Sequence, residues 1–164
     1  MKKLFLVICF LNVSLIVAAQ SNVRSLNGYK YIYIAPIAET DGSFDRYGIA
    51  PFLNNLFINA RIPVLNANNP PQEVVDDHCL VLTCFVTYTF CYNCGGITVT
   101  LQFTDCLRQN IYSTTGKQYI SNANPAYFHK ATTKAFSEIA ALNYHFNPSL
   151  TPKMTYPEVE QTTE

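Results

Sequence analysis

Cysteines are the residues of this 164-residue chain whose type and spacing could carry chemistry, and there are six of them. Cys91 and Cys94 form a C-x-x-C pair, and Cys79 and Cys106 flank that pair in the sequence. Three kinds of chemistry use such a set. Closely facing thiols form disulfides in an oxidising compartment, four thiolates or imidazoles bind Zn²⁺, and a C-x-x-C at a helix N-terminus exchanges disulfides because the helix dipole lowers the thiol pKa.

Disulfides are the interpretation that the spacing favours. A zinc site would need Cys79, His78 or Cys106 as further ligands, and the second C-x-x-C or H-x-x-x-H pair that usually supplies them is absent from the sequence. A thioredoxin-like role would need a helix at the C-x-x-C, whereas the sequence there predicts the tip of a hairpin. Zinc binding and thiol-redox chemistry stay open as alternatives.

No other group of residues indicates catalysis. The acidic cluster Asp76, Asp77 and His78 could hold a cation but is typical of a solvated loop, and residues 113–117 (STTGK) lack the earlier glycine of a phosphate-binding loop. The chain has no G-x-S-x-G motif and no pair of carboxylates at a fixed spacing, so acyl transfer and glycoside hydrolysis have no candidate residues. We therefore expect no enzyme activity, no cofactor and no metal.

The N-terminus predicts where the protein is located. Lys2 and Lys3, the apolar run 4–17 and the alanines at 18 and 19 are typical of a cleavable secretory signal peptide over residues 1–19, with Gln20 as the first mature residue. The apolar run is short for a membrane span and no second one follows. We expect a secreted or periplasmic protein without a membrane span after cleavage, in a compartment where disulfides form.

Net charge argues against nucleic acid as a partner. Without Lys2 and Lys3, nine basic residues stand against 11 acidic ones, which gives a formal charge of −2. Phosphate backbones are bound by clustered Lys and Arg, and the basic residues here are few and scattered. The remaining length fits one domain, and 11 Tyr and 11 Phe can supply its core.

Periodicity and turn signals predict the order of the secondary structure elements. We expect a central strand over 29–37, a helix over 49–60 with Ser43 or Asp45 near its start, and a short strand over 62–65. A hairpin of 80–90 and 97–104 follows, then a strand over 111–114 with Gly116 closing the strand region, and then a helix that is capped by Asn124 and ends near Asn143. The segment 66–77 reads as loop, and the tail 147–164 is rich in Pro, Thr and Glu and predicts disorder. The predicted fold is α+β, with a four- to five-stranded mainly antiparallel sheet and two helices packed on one face, in a single domain over 20–146.

The hairpin assigns a face to each cysteine, because side chains alternate along a strand. The even-numbered positions of its first strand, including Cys84, predict the core face, whereas the threonines and Cys79, Cys106, Cys91 and Cys94 fall on the polar face. If paired residue numbers sum to 185, Cys91 lies opposite Cys94 and Cys79 lies opposite Cys106, which makes two disulfides possible. A sum of 187 keeps the faces but is expected to separate Cys79 from Cys106.

Tyrosines and threonines predict a candidate binding surface. The strand over 29–37 places tyrosines opposite its isoleucines, and this face could continue the threonine face of the hairpin. Tyrosine buries a large area at small entropy cost and offers a hydroxyl, so such a surface suits an envelope protein or a glycan, although solvent-facing strands carry the same residues without any partner. The candidate binding residues are Tyr29, Tyr31, Tyr33, Thr87, Thr98 and Thr100.

The order strand, helix, strand, hairpin, followed by the segments VTLQFTD and IYSTTG and the helix KATTKAFSEIAAL, resembles small secreted cell-envelope proteins of unassigned function from Gram-negative bacteria. More distantly it resembles the α/β domain of curli-secretion lipoproteins and penicillin-binding-protein activators. The resemblance covers about residues 29–146 and implies a binding or assembly module. This chain departs from the wider group because it has no lipobox cysteine at the processing site and because its hairpin cysteines are not part of that pattern. We therefore expect a non-catalytic binding or assembly module of the envelope, with a thiol-redox or zinc-binding protein centred on Cys91 and Cys94 as the alternative.

Overall fold

Four strands and three α-helices make up the part of the chain that this computed structural model describes, residues 26–91, 95–119 and 124–153. The strands pair in the order β1-β2-β3-β4, with β1 parallel to β2 and with both later pairings antiparallel. This confirms the α+β class and the mainly antiparallel sheet. The elements are β1 (Tyr31–Ile34), α1 (Ile49–Asn59), α2 (Gln72–Asp76), β2 (Val81–Cys91), β3 (Gly96–Thr104), β4 (Asn110–Tyr119) and α3 (Pro125–Ala140).

Strand β1 lies at one end of the four-stranded sheet, so the prediction that it is central is wrong. Beyond it, the N–H of Ile32 donates to the Pro63 carbonyl, and the N–H of Leu65 donates to the Ile32 carbonyl. The segment predicted as a strand over 62–65 therefore adds one parallel bridge, between Ile32 and Val64. Alternation within a strand does not specify which strands flank it, which is why its position could not be derived locally.

At the start of each long helix, a side chain predicted near that start accepts hydrogen bonds from the first turn, although the residue directly before α1 is Gly48. The Asp45 carboxylate accepts hydrogen bonds from the N–H of Ile49 at 2.7 Å and of Ala50 at 2.9 Å, at the start of α1. The Asn124 side chain accepts from the N–H of Ala126 at 2.9 Å, and Pro125 opens α3. First-turn N–H groups have no partner within their helix, so these side chains satisfy groups that would otherwise be unpaired.

The core lies between one face of the sheet and the helices α1 and α3, which pack on that same face as predicted. The buried sheet residues include Ile32 of β1, Leu82, Cys84 and Val86 of β2, Ile97, Val99, Leu101 and Phe103 of β3, and Thr114 of β4. Phe57 of α1 joins the layers, because its ring meets the rings of Phe103 and Phe136 edge to face at centroid distances of 6.4 and 5.1 Å. Such aromatic pairs add to the stabilisation that burial of their area gives.

Gly116 allows α3 to approach β4 closely. A Cβ built on Gly116 would lie 1.9 Å from the Ala131 carbonyl oxygen and 2.5 Å from the Ala135 nitrogen. On the same face, the Thr114 hydroxyl donates to the Ala135 carbonyl at 3.0 Å. Gly116 was predicted to end the strand region, but β4 continues to Tyr119, because the glycine is required by the helix above it and not by a turn.

The residues after α3 return to the beginning of the domain. Tyr144 donates its hydroxyl to the Tyr29 carbonyl at 2.5 Å, and Thr151 donates its hydroxyl to the Gly28 carbonyl at 2.8 Å. Between them, Pro148–Leu150 forms a 3-10 turn. The predicted disordered tail therefore begins too early at residue 147, because the polar side chains of this segment satisfy backbone groups near the N-terminal side of β1.

Three predictions fall on residues that the structure does not describe. The signal peptide over 1–19, the hairpin tip at 92–94 with Cys94, and the tail from 154 onward lie outside the described residues. No helix among residues 26–91, 95–119 and 124–153 has the length and apolar character needed to cross a membrane.

Candidate binding surface

The sheet face that carries neither long helix is the candidate binding surface, and we call it the open face. Its side chains are all half-buried or exposed, and the pairing places Tyr33 beside Thr83 and Thr100 between Thr87 and Thr115. The predicted tyrosine face and threonine face therefore form one surface. The open face comprises Tyr31, Tyr33, Val81, Thr83, Phe85, Thr87, Thr89, Thr98, Thr100, Gln102, Ser113, Thr115 and Lys117.

Phe85 is the large apolar side chain of the open face, and it is 45% exposed. It lies opposite Gln102 and between two threonines of its own strand. Isolated exposed rings are common on protein surfaces, so its significance depends on what surrounds it. Full burial of a phenylalanine side chain is worth about 1.5–3 kcal/mol relative to exposure, and a covering partner would recover part of that energy.

Tyr29 does not belong to the open face, which corrects its prediction as a binding residue. It is 3% exposed and packs within the core. Strand β1 begins at Tyr31, so the alternation that assigned Tyr29 to the outer face does not extend to it, and its N–H donates into a turn at the Leu26 carbonyl. Burial raises the pKa of the Tyr29 hydroxyl well above its usual range, and the nearby Asp105 carboxylate adds to the effect.

The cysteines divide between core and disulfides, as expected. Cys84 is fully buried and is the free thiol of the described residues, and burial raises the pKa of this thiol above its usual range. Cys79 and Cys106 form a disulfide across a sequence separation of 27 residues. Cys91 is disulfide-bonded as well, and its predicted partner Cys94 lies outside the described residues.

The Cys79–Cys106 disulfide forms in the register that was expected to exclude it. Paired residue numbers of β2 and β3 sum to 187, as in Thr83 opposite Thr104. Cys79 lies in the 3-10 turn His78–Leu80 before β2, and Cys106 lies in the turn after β3, so neither is held by the ladder and their Cα atoms approach to 5.1 Å. Cys79 is also buried, because strand alternation does not govern a residue in this turn.

A cleft of about 500 Å³ opens on the open face at its β1 end. Its volume falls in the range of small-ligand sites, about 300–1,000 Å³. The sequence did not predict it, because α2 has five residues and no capping side chain and therefore leaves no periodic signal in the segment 66–77. The floor of the cleft is Tyr33, Val81 and Thr83, one wall is Leu65, Pro70, Val74 and Val75, and the far end is His78, Asp105 and Cys106.

The cleft is mainly apolar and has a few polar groups in its lining. Among the described residues, the hydroxyls of Tyr33 and Thr83 and the imidazole of His78 have no hydrogen-bond partner. The Asp105 carboxylate is occupied, because its Oδ1 accepts from the N–H of Leu107 at 2.9 Å and from another backbone N–H in the same turn. The polar groups that could meet a bound partner are therefore Tyr33, Thr83 and His78.

An ion pair fixes the wall of the cleft against the sheet. Glu73 of α2 accepts from Lys30 Nζ at 2.6 and 2.7 Å and from the Tyr31 hydroxyl at 2.6 Å. The hydrogen bonds from Lys30 and Tyr31 lower the pKa of Glu73, and the bond to Glu73 raises the pKa values of Lys30 and Tyr31. Through these contacts, α2 is held beside β1.

The other candidates from the sequence serve local structure. Asp76 accepts from the Gln72 side chain at 2.9 Å, and Asp77 accepts from the N–H of Cys79 at 2.9 Å. Within residues 26–91, 95–119 and 124–153, no group of three His, Cys, Asp or Glu side chains is placed to hold a metal ion.

Comparison with known proteins assigns no family. No family model matches this chain, and no curated protein matches it. Among solved structures, a dodecameric variant of PelC from Paraburkholderia phytofirmans is 18% identical with a TM-score of 0.44, covering 71% of this chain and 90% of that chain. A PelC dodecamer from the same organism is 17% identical with a TM-score of 0.42, covering 66% and 87%. These TM-scores are too low to establish a common fold, and the resemblance to secreted cell-envelope proteins, curli-secretion lipoproteins and penicillin-binding-protein activators stays a prediction.

Proposed function

We propose that this protein is a non-catalytic binding module that acts outside the cytoplasm and contacts its partner through the open face and the cleft. The observation that carries the proposal is that the exposed Phe85 and an apolar cleft occur together on one sheet surface. The core lies on the opposite face of the sheet, so burial of the core does not require either feature.

The chemistry of the surface favours a polypeptide partner. Protein interfaces place an apolar or aromatic anchor in a pocket and surround it with polar groups that exclude water. Here Val74, Val75 and Pro70 line a pocket, and threonine hydroxyls surround Phe85. We therefore propose an envelope protein that inserts an apolar side chain into the cleft, with a glycan as the competing outcome of the test.

The disulfide supports a secreted or periplasmic location. Disulfides persist in oxidising compartments and are rare in the cytosol of mesophiles. The bond between Cys79 and Cys106 therefore agrees with the export that residues 1–19 predict. Fractionation of cells after thiol blocking tests this part of the proposal, because a cytosolic chain would carry reduced Cys79 and Cys106.

Affinity capture from an envelope extract tests the binding surface. Phe85→Lys places a charge on the open face, and Val75→Lys places one in the cleft wall. Ile58→Lys is the matched control, because Ile58 is an apolar side chain 57% exposed on α1, away from the open face. We expect the two surface variants to lower capture of the partner by at least about tenfold, and the control to leave it unchanged.

Three outcomes would contradict the proposal. A partner that both surface variants retain does not use this face, and a partner lost only with Ile58→Lys uses the helix side. Treatment of the extract with protease or with glycosidase before capture identifies the partner class. Binding that survives the protease and is abolished by the glycosidase would show that the partner is a glycan.

A thiol-redox or zinc role at the hairpin tip is the rival proposal. The observation that favours the redox form is that Cys91, at the end of β2, is disulfide-bonded. Zinc binding would require this bond to be reduced, because the metal ligand is the thiolate. Replacing Cys91 and Cys94 by serine separates the possibilities. A structural bridge predicts lower stability with binding retained, whereas a redox or metal site predicts lost disulfide exchange or lost zinc uptake in a chain that melts as before.

A further inference from the structure

The free edge of the sheet is β4. In the described part of the chain no segment pairs with the outer side of this strand, which has ten residues and contains no proline. An unpaired strand of this length presents a row of N–H and C=O groups, and soluble proteins usually cover or interrupt such an edge. Strand β4 is therefore a surface on which another strand can add.

Alternate residues of β4 direct their backbone groups toward this edge. The N–H of Ala35 donates to the Cys84 carbonyl, so the even-numbered residues of β2 bond toward β1 and the odd-numbered residues bond toward β3. Through the pairing of β2 with β3, the even-numbered residues of β3 bond to β2 and the odd-numbered ones bond to β4. Through the pairing of β3 with β4, the even-numbered residues of β4 bond to β3, so the backbone groups of the odd-numbered residues of β4 point outward. An independent contact agrees, since Lys134 Nζ donates at 2.9 Å to the Lys117 carbonyl, which β3 does not use.

We propose that β4 pairs with β4 of a second copy of this chain, antiparallel, about a two-fold axis at Thr115. The outward residues 113, 115 and 117 of the two copies then exchange about six backbone hydrogen bonds. Ser113 lies opposite Lys117 of the other copy, and Tyr119, which is 79% exposed, packs against Ile111 of the other copy. Two four-stranded sheets join into one sheet.

Charge complementarity identifies the occupant as a second copy. Lys134 reaches β4 at Lys117, and Glu138, one helical turn later, lies at Tyr112, whose hydroxyl donates to it at 3.4 Å. Because the axis places Lys117 of one copy beside Ser113 of the other, it also places Lys134 of each copy beside Glu138 of the other. An unrelated strand that brings no carboxylate to Lys134 and no ammonium to Glu138 would leave both charges without a partner, so these charges disfavour other partners.

Sedimentation equilibrium of the chain from Gln20 onward measures the dissociation constant of this dimer. Thr115→Pro removes an outward N–H and no backbone bond to β3; the one bond to β3 that it loses is the exposed contact between the Thr115 and Thr100 hydroxyls, which Thr115→Val loses as well. The monomer should therefore fold while the dissociation constant rises by at least about tenfold. Thr115→Val is the matched control, because it keeps both the N–H and the β-branch and should leave the constant within about twofold. Circular dichroism verifies that both variants are folded.

Reversal of charge tests the contact between the helices. Glu138→Lys should weaken the dimer, and Lys134→Glu combined with Glu138→Lys should restore it, because the two ion pairs form again with opposite polarity. This series also decides the matter if Thr115→Pro does not fold. A dissociation constant that Thr115→Pro leaves unchanged would overturn the proposed interface. So would a double charge reversal that leaves the dimer as weak as Glu138→Lys alone.

Cross-linking tests the register. In the proposed pairing, Thr115 faces its own copy with a Cα separation of about 5.5 Å, which a disulfide can span. Thr115→Cys should therefore give an oxidised covalent dimer. Ser113→Cys is the control and should give none, because the two copies of residue 113 lie about 13 Å apart along the strands. A chain that stays monomeric at every concentration, or equal cross-linking of both variants, would refute the two-fold axis at Thr115.

Discussion

Loss of the Cys79–Cys106 disulfide should destabilise the fold by about 3.5 kcal/mol. The perturbation is replacement of both residues by alanine, which leaves no buried hydroxyl at the Cys79 position. The bond closes a sequence separation of 27 residues. For a loop of this length, the chain-entropy model gives about 3.5 kcal/mol at 25 °C, because the bond removes conformations from the unfolded chain.

This free energy converts into a large shift of the melting temperature. A folded region of roughly 130 residues has an unfolding entropy of about 0.27 kcal/mol/K, so the midpoint should fall by roughly 13 °C. Circular dichroism during heating and urea unfolding at 25 °C measure the two quantities independently. Cys84→Ala is the control, because it removes a buried sulfur without opening a bridge and should cost about 1 kcal/mol, or roughly 4 °C.

A double-alanine variant that melts within about 3 °C of the parent protein would refute the reasoning, because the loop constraint would then contribute almost nothing. Thiol counting shows which premise failed. The chain from Gln20 onward, unfolded and alkylated without reductant, should take up one alkyl group, at Cys84. Uptake of three groups would mean that Cys79 and Cys106 were never joined.

Three further perturbations test the packing and the electrostatics. Gly116→Ala should destabilise the fold by about 2–3 kcal/mol in urea unfolding, because its Cβ would meet the Ala131 carbonyl of α3. Burial raises the pKa of Tyr144 to about 12, so its contribution to stability should be lost as the pH rises from about 10 to about 12. Tyr144→Phe should reduce the fall in stability over this range, and the part that remains comes from other buried tyrosines such as Tyr29, whose pKa is also raised. The bond from Lys30 lowers the pKa of Glu73, so the contribution of Glu73 to stability is present at neutral pH and is lost as the pH falls through its folded-state pKa. NMR titration of Glu73 should show a midpoint below the usual 4.5. Glu73→Gln should abolish this contribution to the pH dependence of stability.

Side-chain faces could be predicted from the sequence because the period of a strand is a local property. Alternation placed Cys84 in the core and Thr87 and Thr100 on the opposite face, and all three lie there. The side chains that accept hydrogen bonds at the two helix starts, Asp45 and Asn124, were also predictable, since such a side chain acts within a few residues of itself.

Residues just outside the strands could not be placed in this way. Tyr29 and Cys79 were assigned by extending the alternation past Tyr31 and Val81, where the strands begin. In the turns before those residues the backbone is no longer extended, and both side chains are buried. The register of the hairpin depends likewise on the length of its turn, which alternation does not determine.

Long-range contacts were the other missing information. Gly116 looked like the end of a strand because its reason for being glycine is α3, which follows later in the chain. The cleft depends on α2 folding back over β1, and the ion pair that holds it joins Lys30 to Glu73 across 43 residues. No periodic pattern within either segment signals that contact.

The disulfide and the proposed binding surface are coupled by geometry, which gives a sharper test of the cleft. Cys106 lines the far end of the cleft, and its bond to Cys79 fixes the turn after β3 against the start of β2. The double-alanine variant should therefore bind the partner more weakly even at temperatures where circular dichroism shows it folded, because that end of the cleft is no longer held. Phe85 lies outside the cleft, so Phe85→Lys should lower binding by a similar factor with or without the disulfide. Binding unaffected by loss of the disulfide would restrict the contact to the central open face and remove the cleft from the proposal.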